Sequence, residues 1–164
     1  MNEAYYEVMV TRKGTPVMKV AQIVTALLAG VSAVAVVMGF VWGILLAVVF
    51  GVACYVVTMM SVVEYEYLYV DKELQIDRIL GKSSRKRMET LDLKQLEILA
   101  PLRSHELDSY RNRNGKKLDY SSGEGAGENP KYMLVIGEKH VIFEPTQEMV
   151  KTIQMFAPRK VFTY

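Results

Sequence analysis

The chain has little of the chemistry that usually marks an enzyme or a secreted domain: one cysteine, one tryptophan and two histidines in 164 residues. A single cysteine excludes an intrachain disulfide framework, and His105 and His140 leave a Cys/His zinc site short of ligands, so no metal or other cofactor is expected. An excess of one charge is missing too. Twenty basic and 18 acidic side chains give +2, too near balance for non-specific nucleic-acid binding, and no nucleic-acid partner is expected. The length suits one ordinary domain, or a small domain plus a membrane segment, and excludes a large multidomain enzyme. The most informative absence is local: no charged residue occurs from 20 to 63.

That uncharged run is about twice one crossing, because a bilayer core needs ~20 apolar residues per helix and lipid-embedded backbone must satisfy its own hydrogen bonds. It reads as a two-helix transmembrane hairpin over 16–63, with helices near 16–38 and 42–62. The break falls at Met38-Gly39-Phe40-Val41-Trp42-Gly43, where glycines loosen the helix and the aromatics suit a membrane–water interface. Thr15 and Pro16 supply a start signal. Small residues at Ala26, Ala29, Gly30 and Ala33, and at Gly43, Ala47 and Gly51, are expected to pack the helices together; the same stripe could pair two chains. A cleaved signal peptide ending near Ala33-Val34-Ala35 competes with the first span, but the apolar run continues as a second one. Cys54 falls near mid-bilayer as a packing residue.

Arg12, Lys13 and Lys19 precede the hairpin, Lys72, Arg78 and Lys82 follow it, and the turn carries no basic residue, which predicts a multi-pass cell-membrane protein with both termini cytoplasmic. The juxtamembrane segment 1–15 spaces Tyr5, Val8 and Met9 as an amphipathic helix would, with a short strand as the alternative. From Glu64 the hydrophobic period becomes two. Tyr65, Tyr67 and Tyr69 share one face, and a turn at Asp71-Lys72-Glu73 leads to a second strand with Leu74, Ile76, Arg78 and Leu80 at alternate positions. Further strands are expected at 85–91, 96–99, 132–136 and 140–143. Glu144-Pro145-Thr146 opens a helix with Met149, Val150, Ile153 and Phe156 on one stripe, ended by Pro158. Residues 103–131 are polar and glycine-rich and read as a mobile insertion in which 117–120 is the one plausible strand.

The stretch from Tyr67 to Leu80, the basic turn and the run Arg87-Met88-Glu89-Thr90-Leu91-Asp92 resemble the opening strands of bacterial PH-like (pleckstrin-homology-like) domains that follow a transmembrane hairpin. More closely, residues 63–77, Glu97-Ile98-Leu99-Ala100-Pro101, Ile142-Phe143-Glu144-Pro145 and Pro158-Arg159-Lys160-Val161-Phe162 resemble a family of small bacterial two-span membrane proteins with a cytoplasmic PH-like domain. The resemblance covers nearly the whole chain and imports no activity, because that family has none assigned. It implies a seven-stranded, partly open barrel closed by a C-terminal helix. The expected class is therefore a membrane protein, α+β, with the soluble domain at 64–164.

Arg78, Lys82, Arg85, Lys86 and Arg87 lie close together with no acid between Asp77 and Glu89. A strand leaving the bilayer and a second returning bring this loop back toward the headgroups, where anionic lipid attracts basic residues by ~1 kcal/mol each. Lipid or phosphate contact is one reading; a solvated turn that only sets topology is the other. No HExxH, GxSxG or P-loop is present, so no catalytic residue is assigned and the chain is read as a non-enzyme. Glu64 and Glu66 share a strand face, read as a solvated edge rather than an acid/base pair. The function expected is a membrane-anchored PH-like interaction or scaffolding module, and the alternative is an accessory subunit of a larger membrane complex. Its partners would be the bilayer, with anionic phospholipid at the basic loop, and another protein or a second copy.

Overall fold

A computed structural model describes residues 5–81, 84–123 and 127–163. It divides into two units, residues 13–63 and residues 1–12 with 64–164. The first is a helical hairpin of α1 (Pro16–Val37) and α2 (Trp42–Ser61), both long and apolar enough to cross a membrane. Pro16 starts α1, but the Thr15 side chain does not cap it; the Thr15 carbonyl accepts from Met18 N–H at 2.9 Å instead. Gly39, at φ +91°, turns the chain between the helices.

Polar side chains in the hairpin bond mostly to their own helix. Thr25, Ser32 and Thr58 donate to the carbonyls of Ala21, Leu28 and Cys54 at 2.7–2.8 Å. Among the described residues one side-chain hydrogen bond crosses, from Gln22 Nε2 to Ser61 Oγ at 2.9 Å. The helices meet through a seam that includes buried Ser32 and Gly43, where a Cβ on Gly43 would lie 3.0 Å from Val36. Of the small residues expected at that seam, Gly43 is buried and Ala29 and Ala47 half-buried, whereas Ala26, Gly30, Ala33 and Gly51 are exposed. Side chains in an α-helix recur every 3.6 residues, so the Ala26/Gly30/Ala33 row is turned away from the Gln22/Thr25/Ser32 row by about a quarter of a turn or more. Cys54 is a half-buried residue of α2.

The second unit contains two four-stranded sheets. In the first, β1 (Tyr6–Lys13), β2 (Val62–Val70), β3 (Glu73–Leu80) and β4 (Ser84–Asp92) lie in chain order. The amphipathic-helix reading of the N-terminal segment is thereby corrected to its alternative: β1 alternates, burying Val8 and Val10 against the domain. Asp71 and Lys72 hold φ of +44° and +66°, the backbone of a two-residue hairpin turn whose twist matches the flanking strands. Strands β3 and β4 are antiparallel, and a bulge between Ile76 and Asp77 shifts their register.

The second sheet runs β5 (Ile98–Pro101), β7 (Tyr132–Ile136), β8 (Lys139–Phe143), β6 (Lys116–Asp119), with β6 parallel to β8 and the other pairs antiparallel. The resemblance implied seven strands; eight are present among the described residues, and the additional N-terminal one precedes the hairpin. Helix α4 (Gln147–Phe156) is capped by Thr146, whose Oγ1 accepts from Met149 N–H, and buries Met149, Val150 and Ile153. Tyr67 meets Phe143 edge-on at 5.5 Å and donates to the Tyr120 carbonyl at 2.5 Å. Leu74, Ile76, Leu99 and Leu134 are fully buried with it.

The segment 103–131 makes packed contacts among its described residues. Leu107, on a 3₁₀ turn at His105–Leu107 that runs into the short helix α3 (Asp108–Arg111), is fully buried with Ile98, Ala100, Met133 and Val135. This cluster explains why all five residues of β7 are buried: the segment supplies a second apolar layer. Strand β6 follows, and Ser122 then donates from N–H and Oγ to Glu144 Oε1 at 3.0 and 2.6 Å. Polarity along the chain concealed this, because buried polar groups are tolerated when hydrogen-bonded. Residues 124–126 of the glycine-rich run lie outside the described residues.

Candidate functional site

The basic residues singled out in the sequence are divided by the β3–β4 hairpin. Side chains alternate along a strand, so Arg85 and Arg87 project to one side of β4 and Lys86 to the other. Arg78 stands opposite Lys86 in the register, and its Nε is buried without a hydrogen-bond partner among the described residues. Lys82 lies outside the described residues.

Arg85 and Arg87 converge on Asp77. Arg85 Nε donates to Asp77 Oδ2 at 2.8 Å and Arg87 Nε to Oδ1 at 3.0 Å, while Arg85 also reaches Glu66. Asp77 and Glu66 are buried, at 5% exposure each, whereas both guanidinium side chains stay about half exposed. The absence of an acid along 78–88 is therefore compensated across strands. Burial opposes ionisation of Asp77, but the hydrogen bonds from Arg87 and Arg85 outweigh it and hold its carboxyl below the usual range. Glu66 goes the other way: burial and the neighbouring Glu7 raise it, against the pull of Arg85. Glu7, on β1, is lowered by hydrogen bonds from Tyr5 and Glu66. The solvated-edge reading of Glu66 is thus corrected to a buried carboxylate within an ion-pair row spanning β2 to β4.

The two histidines sit in opposite settings. His105 is fully exposed, 3.4 Å from Asp108. His140 is fully buried on β8, opposite Val135 and Lys117, and its ring nitrogens have no hydrogen-bond partner among the described residues. Among the described residues no three His, Cys, Asp or Glu side chains gather as metal ligands.

At the other end of the sheet the Lys72 ammonium lies 5.0 Å above the Phe156 ring, and Met155 and Phe156 are exposed at the end of α4. Sequence reasoning missed Glu144, taken only as part of a helix start. Nothing in its local context marks it; the nearest signal is the serine pair Ser121-Ser122 in an otherwise glycine-rich run, the partner its carboxylate needs. A family model described as "Bacterial PH-like domain (DUF6106)" matches residues 2–163. No curated protein and no solved structure matches the chain.

Proposed function

The chain belongs to the bacterial PH-like domain family, and on that premise we propose that it is a membrane-anchored, non-enzymatic interaction or scaffolding module on the cytoplasmic face of the cell membrane. The observation that carries this reading is the place of the helices in the chain. Strand β1 runs directly into α1, α2 runs directly into β2, and β1 and β2 are neighbours in one sheet. Two crossings that begin and end in adjacent strands return the chain to the side it left, so residues 5–13 and 62–163 share one side. Basic residues Arg12, Lys19, Lys72 and Arg78 choose the cytoplasmic one. The test labels cysteines introduced at Ser104 and Gly39 after Cys54 is replaced. They should react from opposite sides of the membrane; Ser104 labelled from outside would sink the orientation.

Anionic lipid contact belongs to the same reading. The half-exposed Arg85 and Arg87 guanidinium groups on one side of β4 and exposed Lys86 on the other are the groups that support it, with ~1 kcal/mol available from each residue near an anionic leaflet. A spin label at Ser84 of the full chain in nanodiscs should be less water-accessible with anionic than with zwitterionic lipid. The difference should fade as salt shortens the Debye length from ~10 Å at 0.1 M to ~3 Å at 1 M. Equal accessibility in the two lipids would leave the cluster as a topology signal.

The accessory-subunit reading has one observation in its favour: a Cβ at Gly30 or Gly51 would meet nothing within 4 Å, so both helices keep a smooth open face for a further helix. Gln22, by contrast, is engaged within the hairpin. Crosslinking and affinity purification from native membranes distinguish the two readings, since an obligate subunit is recovered in fixed stoichiometry with its complex.

A further inference from the structure

Where the chain leaves α4 it forms an open socket of about 260 Å³ against the 3₁₀ turn at Leu93–Gln95. Local chemistry builds its walls. Ala157 N–H still bonds to the Ile153 carbonyl at 2.9 Å, but Pro158 has no N–H to continue the helix, and Lys160 N–H closes a turn on the Ala157 carbonyl at 3.0 Å. Leu99 N–H then donates to the Lys160 carbonyl, and Leu93 N–H to the Lys72 carbonyl, each at 2.8 Å. Both walls are thus fixed to the sheets before any partner arrives.

Apolar surface and unpaired positive charge coincide here. Among the described residues of 64–163, Met155 and Phe156 are the only exposed large apolar side chains, and both end α4 at the socket's edge. Phe156, Ala157 and Pro158 line the socket with Lys94, Arg159 and Lys160, and Lys72 stands 5.0 Å over the Phe156 ring. All four cations are exposed. None of them forms an ion pair among the described residues, in contrast to Arg85, Arg87 and Lys139. The acid next in sequence, Asp92, accepts from Lys94 N–H at 3.0 Å and does not line the socket. An occupant therefore needs negative charge around an apolar centre, since like charges opposite this rim would repel. The socket is concave and below the ~300–1,000 Å³ of sites for drug-sized molecules, so it suits one protruding side chain, which a protein segment has and a bilayer surface does not.

We propose that this socket docks an acidic segment of a protein partner. One large apolar side chain of that segment sits against Phe156, Ala157 and Pro158, and its carboxylates face Lys72, Lys94, Arg159 and Lys160. The inference rests on the interaction-module reading and deepens it by naming where, and through what chemistry, the partner is held.

The test uses the full chain in zwitterionic nanodiscs with methyl-labelled alanine, because Ala157 lines the socket. The Ala157 resonance, assigned with Ala157→Ser, should shift saturably with an end-capped Gly-Asp-Glu-Phe-Asp-Glu-Gly peptide and not with Gly-Lys-Lys-Phe-Lys-Lys-Gly. Replacing the acidic peptide's phenylalanine by glycine should weaken binding about tenfold or more, as loss of a buried aromatic anchor does. Lys94→Glu combined with Arg159→Glu, both at exposed positions, should weaken it as much while leaving the melting temperature unchanged. The phenylalanine comparison uses the wild-type chain and decides the matter even if that variant fails to fold. The proposal is overturned if the acidic peptide gives no saturable shift, if the glycine peptide binds equally well, or if the folded double variant binds as the wild type does. It is also overturned if, without peptide, the resonance shifts on changing to anionic lipid or on loading two chains per disc, which would assign the socket to the bilayer or to a second copy. Crosslinking in native membranes with wild type and double variant separates this inference from the reading beneath it. A protein recovered equally by both overturns the socket and leaves the interaction module standing. Saturable peptide binding with no protein recovered by the wild type upholds the socket and counts against the module.

Discussion

The hairpin and the sheet domain solve the same problem, satisfying polar groups away from water, on different length scales. In the hairpin, Thr25, Ser32 and Thr58 bond to carbonyls four residues back, and Gln22 to Ser61 is the single side-chain bond between helices among the described residues. In the sheet domain the corresponding bonds span far more chain: Tyr67 to Tyr120, Ser122 to Glu144, Lys139 to Glu89. A helix closes its own ladder and lipid rewards any apolar exterior. A sheet closes its ladder only when distant strands arrive, so its stability rests on a few irreplaceable contacts.

The sharpest way to break this comparison is to remove β1. Burying Val8 and Val10 contributes about 3–6 kcal/mol at ~1.5–3 each, against a total stability of ~5–15 for a typical domain. A 64–164 fragment should therefore unfold without cooperativity in urea. Restoring residues 5–13 ahead of β2 through a short loop in place of the helices should recover a cooperative transition. A cooperative, stable 64–164 fragment would show that β1 is peripheral.

Next in size, Tyr67→Ala should cost about 3–5 kcal/mol, as for other large buried rings, while Leu27→Ala, at a site 64% exposed on α1, should cost a fraction of that in nanodiscs. Equal losses in denaturant titrations would erase the contrast between the two regions.

Asp77→Asn should cost about 1–3 kcal/mol near neutral pH, because two guanidinium groups lose a charged acceptor. A carboxyl held below its usual range contributes stability that is fully present above that range and is lost as pH falls through its folded value. The deficit of the variant should therefore shrink on acidification. Glu66, raised in the folded state, has the opposite sign: its contribution is present at low pH and is lost as pH rises through the carboxylate range, so Glu66→Gln should flatten the neutral limb of the profile. Melting curves across pH in nanodiscs distinguish the two, and a deficit for Asp77→Asn that is constant with pH would remove the ion-pair row from the account.

The smallest effect is expected inside the hairpin. Gln22→Leu should cost about 0.6 kcal/mol, the average for an interhelical hydrogen bond in a membrane, measured by thermal stability in detergent. A loss of several kcal/mol would mean that the hairpin, like the sheets, depends on a single distant contact.

What the sequence alone determined is what periodicity and composition can encode: two apolar helices broken at Gly39, the strand alternation of Tyr65, Tyr67 and Tyr69, the turn at Asp71-Lys72, and the amphipathic stripe of α4. The family resemblance was legible for the same reason, since it rests on runs of consecutive residues. Tertiary structure decided the rest. Residues 6–13 could pair as a strand only because the chain returns to them at Val62, beyond both helices. Arg85 and Arg87 read as free cations until the β3–β4 register set Asp77 between them, and Glu144 read as a helix flank until Ser122 arrived from 22 residues upstream. Each of these outcomes depends on which strands become neighbours, and pairing free energy between residues far apart in the chain leaves no periodic trace in the segments that take part.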